Sequence, residues 1–200
     1  RDACGGIIRG DYDAHFPLPL EQGGAGTSLH MNINEVLASL VNRKIPSDDP
    51  HPSHRTLDPI EDLARFQSTN DTFASAVVVV AYRKVETGEE AAVRLQEKLV
   101  ELELKYDKQI MTGRTELQDA LPMRAGSLFG AWAGGAERDR WRFSKVAERV
   151  REIPLGGTAL GSGFGAPGKY AHAAERHLRR ITGLPLSRSQ NMMDGVCMKD

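Results

Sequence analysis

The sequence predicts a mainly α protein, with an irregular N-terminal segment followed by a bundle of long helices. Three observations carry that expectation. Leu95, Leu99, Leu102, Tyr106 and Ile110 recur at three- and four-residue steps with Glu and Lys between them, which lines one face of a helix with apolar side chains. Stretches of this kind are separated by short polar, glycine-rich interruptions, while residues 1–26 are rich in Gly and Pro and favour neither helix nor strand. The chain then divides into residues 1–66, part of an N-terminal domain, and residues 67–200, the first part of a central helical bundle.

A first helix is expected from Thr27 or Ser28, either of which can cap free N–H groups, to Val41. Residues 45–59, "IPSDDPHPSHRTLDP", carry four prolines and read as a loop. A second helix starts with Ser68 or Asn70 as cap and ends near Val85. Its "AVVVVAY" stretch is strand-like by propensity. The apolar character outruns strand length, however, and a helix apolar all round should be buried. A third helix spans Gly88 to Ile110, and "MTGRTELQDALP" interrupts. A fourth runs from Pro122, a residue suited to a first turn, to Val150. Within it Gly134-Gly135 would cost about 1 kcal/mol each against Ala, so another helix is expected to pack closely there. After "IPLGGTALGSGFGAPG" a fifth helix covers Lys169 to Ile181.

Two hundred residues are enough to bury a real core. The net charge of −1 gives no reason to expect nucleic acid or an anionic membrane as partner. The longest apolar run, "FASAVVVVAY", is about half of the ~20 residues a membrane span needs. Cys4 and Cys197 have no metal-ligand spacing and read as reduced thiols of a cytoplasmic protein. The chain starts without a methionine and stops just after a helix-like pattern, so a piece of something longer is expected.

Chemistry is expected in the interruptions. "GGAGTS", "FQSTND" and "TGRTELQD" each present hydroxyls and amides, and the first two lead straight into a helix. A helix start has unpaired N–H groups and about half a positive charge, which suits carboxylate or phosphate. Any one such segment is ordinary capping. Three of them brought together would hold a small polyanion.

"QGGAGTSLHMNINEVLA", "QSTNDTF", "GRTELQDALPM" and "LGGTALGSG", in that order, resemble the fumarase/aspartase superfamily, and the "AGTS" and "STND" versions look closest to aspartate ammonia-lyase. The resemblance implies a fumarase/aspartase-like fold assembled as a homotetramer, with each site drawn from three subunits. It implies elimination from a succinyl-type substrate to give fumarate, with L-aspartate losing ammonia as the first reading. A class II fumarase acting on malate and fumarate, or a non-catalytic structural member, are the alternatives. It also implies that Thr27 and Ser28 form the first substrate-binding segment, Ser68, Thr69 and Asn70 the second, and Thr115 with Glu116 the third. The partner is then a small dicarboxylate or amino-dicarboxylate, with no cofactor and no metal. The superfamily's proton-abstracting serine sits on a later loop, G-S-S-x-M-P-x-K-x-N-P, which this sequence does not contain. These residues therefore read as a binding half without its base.

The departures carry information too. Leu29 and His30 stand where such proteins usually have Thr and Asn, and Glu116 where fumarases have His. A bare carboxylate ~5 Å from a dicarboxylate costs about 3 kcal/mol at an effective dielectric of 20. Glu116 is tolerable if it faces a cationic leaving group, as aspartate's ammonium would be, and otherwise reads as a surface residue. His30 reads equally as a functional contact or as a satisfied structural histidine. "GFGAPG" spells G-x-G-x-x-G, but Pro167 breaks the helix start a dinucleotide fingerprint needs. His51 and His54 sit among prolines with no third ligand nearby and read as loop residues.

Overall fold

The computed structural model describes residues 2–19, 21–44 and 56–198, and the chain is mainly helical. Most of the loop expected over residues 45–59, with His51 and His54, lies outside the described residues. The chain forms two compact units, Arg1–Val77 with Glu152–Asp200, and Val78–Arg151.

The first unit opens with α1 (Asp2–Arg9), where an irregular segment was expected. Two glycines do not prevent this helix, because Gly6 is buried against Tyr12: a Cβ there would lie 2.5 Å from the ring. Next comes α2 (Thr27–Asn42), within one residue of expectation at its end. A π-type turn follows at Pro59–Leu63, where the Asp58 carboxylate accepts from the Ile60 and Glu61 N–H groups at 2.7 and 2.8 Å. The long helix α3 (Thr69–Lys105) begins in this unit. The chain returns to it with β3 (Glu152–Ile153), which pairs in parallel with β4 (Ser187–Arg188). Between these strands stands α5 (Tyr170–Thr182), and α6 (Met192–Cys197) closes the unit. Ile153 and Leu186 are its most deeply buried apolar side chains. The short strand pair β3–β4 went unread in the sequence because two residues per strand leave no periodicity to detect.

In the second unit α3 continues to Lys105, so one 37-residue helix replaces the two expected to meet at Gly88. The junction holds because the Phe143 ring occupies the space of a side chain there: a Cβ on Gly88 would lie 2.6 Å from the ring. Packing outweighs the modest helix penalty of one glycine. The "AVVVVAY" stretch is less covered than expected, with Val77 and Val80 more than half exposed. The fourth helix, α4 (Ala125–Arg149), starts three residues after Pro122. Its close approach to α3 falls at Gly126, where a Cβ would lie 2.5 Å from the Glu103 carbonyl oxygen. Gly134 and Gly135 meet nothing nearer than 3.6 and 3.9 Å, so the packing expected there is absent among the described residues.

The largest correction is the interruption between these helices. It is an antiparallel hairpin, β1 (Ile110–Thr115) and β2 (Gln118–Arg124), and Pro122 belongs to its second strand. Thr115 pairs with Gln118, leaving Glu116 and Leu117 as a two-residue turn at φ 48° and 65°. Positive φ at both positions is the I′ geometry that suits the strand twist, and Asn-Gly normally supplies it. A Glu-Leu pair gave no such signal and pays a steric cost instead. Replacing Leu117 by Gly should therefore stabilise the chain by about 1 kcal/mol, read as a raised urea midpoint.

Candidate functional site

The first two segments expected to carry chemistry meet in the first compact unit. Gly26 precedes α2 with φ 80°, a conformation open to glycine at little cost, and a Cβ on it would come within 2.5 Å of the Phe73 ring on α3. The start of α2 is thereby pressed against the first turns of α3. Gly26 is also the N-cap, so Thr27 and Ser28 occupy the first helical positions and the capping role expected of them is not used. The Ser28 Oγ accepts from Gln22 Nε2 at 3.5 Å.

At the start of α3 the Ser68 Oγ accepts from the Asn70 N–H at 3.2 Å, and the Asp71 carboxylate accepts from the Ser68 N–H at 2.9 Å. This is a reciprocal capping box, with Ser68 as the cap. Thr69 and Asn70 lie in the first turn, and the Asn70 amide donates to the Ala159 carbonyl at 2.8 Å. Among the described residues neither the Thr27 nor the Thr69 hydroxyl has a hydrogen-bond partner.

Asp71 does more than cap. Its side chain is fully buried, and its second oxygen accepts from the Gly156 and Thr158 N–H groups at 3.0 and 3.1 Å. The glycine-rich loop ahead of α5 is thus pinned to the second segment. Gly156 (φ 93°) and Thr158 (φ 59°) take left-handed conformations, and Gly156 packs on Ala171 of α5 with no room for a Cβ. Burial pushes the Asp71 carboxyl above its usual range, against the opposing pull of backbone N–H groups at Ser68, Gly156, Thr158 and Thr72. Sequence reading passed over Asp71, although the S-x-x-D spacing of the capping box was there to find.

A second contact joins the segments. His30 Nε2 of α2 lies 3.1 Å from Gln67 Oε1, just ahead of α3, and 3.2 Å from Asn34 Nδ2. Tyr170 is the first residue of α5. Burial and the nearby Asp71 carboxyl hold its hydroxyl above its usual range, partly offset by the Gln67 side chain. Phe66, with φ 62°, packs edge-on against the Tyr170 ring at 5.6 Å. Gln67 and Tyr170 gave no motif signal, because each is ordinary in its own segment.

The third segment, Thr115 and Glu116, stands in the second unit at the tip of the hairpin, and both residues are exposed. Among the described residues no group of three or more His, Cys, Asp or Glu is arranged to hold a metal ion. No helix among them is long and apolar enough to cross a membrane.

With this geometry in hand, the chain can be set beside known proteins. The family described as Lyase matches residues 1–200. Fumarate hydratase class II of Staphylococcus aureus (strain COL) is 35% identical over 199 residues, 99% of this chain and 42% of that protein. A solved structure described as fumarate lyase:delta crystallin from Brucella melitensis bound to cobalt superposes with a TM-score of 0.85. It is 35% identical and covers 98% of this chain and 42% of its own. Recombinant class II fumarase from Schistosoma mansoni gives a TM-score of 0.85 at 25% identity, covering 97% of this chain and 43% of its own. The chain therefore spans about two fifths of the length of the relatives it matches.

Losing Asp71 should leave three N–H groups without an acceptor, two of them in the loop. We expect Asp71→Ala to destabilise the chain by about 3 kcal/mol or more in urea unfolding. The sign of the pH effect follows from the raised carboxyl. The folded chain binds the proton more tightly than the unfolded one, so this contribution is present below the unfolded value of about 4 and is lost as pH rises through the folded value. Asp71→Asn should remove that component from the stability–pH curve.

Proposed function

Since the chain belongs to the lyase family over its whole length, we propose that the protein it belongs to is a hydratase of the class II fumarase type, interconverting L-malate and fumarate. The sequence reading put ammonia elimination from aspartate first, and the relatives named above support its hydratase alternative instead. The observation that carries the proposal is the meeting of two helix starts, at Thr27 and Thr69, pressed together through Gly26 and Phe73 and offering hydroxyls with no partner among the described residues.

Helix starts bring N–H groups and partial positive charge to one place, and hydroxyls add donors that can follow a carboxylate as its charge grows. In this reading Thr27, Ser28, Ser68, Thr69 and Asn70 grip the dicarboxylate. A base takes the proton from the carbon next to one carboxylate, and the charge passes into that carboxylate. The β-hydroxyl then takes up a proton and leaves as water while the charge returns to form the double bond, so one hydrogen and one hydroxyl are lost in all. The donors bind the resulting doubly charged carboxylate more tightly than the ground state, which is where catalysis arises. By the superfamily resemblance the base belongs to a serine loop that this sequence does not contain, and Thr115 with Glu116 comes from a neighbouring subunit. A homotetramer is part of the proposal. It is supported by exposed apolar side chains on the second unit, among them Leu95, Leu104, Trp132 and Trp141.

One residue favours the second reading. Glu116 is an acid at an exposed, sterically strained hairpin tip, and beside an anionic substrate it suits a cationic leaving group better than a hydroxyl.

The test is fumarate absorbance, followed with the product of the complete reading frame supplied with L-malate or L-aspartate. Turnover of malate supports the hydratase, turnover of aspartate alone supports the ammonia-lyase, and turnover of neither overturns both. In the active enzyme Thr69→Ala should lower kcat/KM by about 100-fold. Glu116→Gln should leave malate turnover within a few-fold under the hydratase reading, and should weaken aspartate binding under the other.

A further inference from the structure

One contact ties α2 to the residues just ahead of α3: Gln67 Oε1 lies 3.1 Å from His30 Nε2. Gln67 stands immediately before Ser68, Thr69 and Asn70, the turn assigned above to the dicarboxylate. The residue before it, Phe66, is held at φ 62° against the Tyr170 ring, with the Arg65 guanidinium 5.0 Å from the centre of the Phe66 ring. Left-handed backbone in an aromatic residue is costly and persists only where its surroundings enforce it. Here it lies directly before Gln67, whose side chain meets His30.

Gln67 Oε1 accepts when His30 carries its proton on Nε2. Asn34 Nδ2 lies 3.2 Å from the same nitrogen, so one tautomer of His30 donates to Gln67 and the other accepts from Asn34. Gln67 is exposed and His30 half-buried, so their bond adds little to global stability. A contact of this kind is better placed to set local geometry than to hold the fold.

We propose that His30 is a positioning residue, acting through Gln67 to fix the Ser68–Asn70 turn in the conformation that binds a dicarboxylate. The proposal rests on the reading of that turn as a substrate-binding segment. Of the two roles open to His30 it takes function through a neighbour.

The experiment measures succinate binding by calorimetry, with the product of the complete reading frame, for His30→Ala, Gln67→Ala and the double variant His30→Ala/Gln67→Ala. Succinate has both carboxylates and no leaving group, so its binding does not depend on turnover. Each single variant should raise Kd by about 10-fold, and the double variant should be no worse than Gln67→Ala alone, because residues acting through one another are not additive. His30→Gln, which can carry an N–H to nearly the same place, should recover most of the loss. Unfolding midpoints should stay near wild type throughout, which separates positioning from general destabilisation. Independent, multiplying effects of His30→Ala and Gln67→Ala overturn the proposal. So does wild-type affinity in the single variants, or the absence of succinate binding to the parent protein. Malate turnover by the parent reports separately on the hydratase reading: an enzyme that turns over malate but shows additive effects refutes the relay alone.

Discussion

The Asp71 carboxyl is the constraint on which the first unit depends. It is fully buried, and it shares its two oxygens between the start of its own helix and two N–H groups 85 and 87 residues further along. A buried carboxyl is costly unless its acceptors are filled, and here three backbone donors fill them. The cost and the compensation together specify the arrangement. The loop at Gly156–Thr158 has to lie against the start of α3 for the carboxyl to be tolerated. Thr158 accepts a left-handed backbone in return for the bond its N–H makes.

That single tie has consequences for the chemistry. Gly156 packs directly on Ala171, so α5 is set beside the start of α3, and the Tyr170 ring meets Phe66. Gly26 and Phe73 complete the arrangement by pressing the start of α2 onto the same region. The result is two helix starts, with two hydroxyls free among the described residues, around a turn whose one acidic side chain is already saturated by N–H donors. Acid residues near an anion site usually weaken it. Asp71 instead spends its acceptor capacity on the backbone, which leaves the hydroxyls and N–H groups to an incoming carboxylate.

Much of this was legible in the sequence. The ends of α2 and α5 fell within a residue or so of expectation, because Gly26 and Gly183 bracket amphipathic runs. That the first and second hydroxyl-bearing segments lead into helices was legible as well. What stayed hidden was tertiary. Gly88 looked like a helix boundary, and only the Phe143 ring beside it shows why the helix continues. The hairpin was masked by a turn built from Glu116 and Leu117, neither of which announces positive φ. Gly134 and Gly135 promised a close helix contact that the structure makes at Gly126 instead. Asp71, Gln67 and Tyr170 were invisible as a group because their partners are 37 to 104 residues away in sequence.

The central claim is that the starts of α2 and α3 together hold a dicarboxylate. A crystal structure of the product of the complete reading frame, with succinate bound, tests it most directly. The account predicts one succinate carboxylate within hydrogen-bond distance of the Thr69 hydroxyl and the first N–H groups of α3, with Thr27 or Ser28 contacting the same molecule. Succinate bound with no contact to either helix start would contradict it.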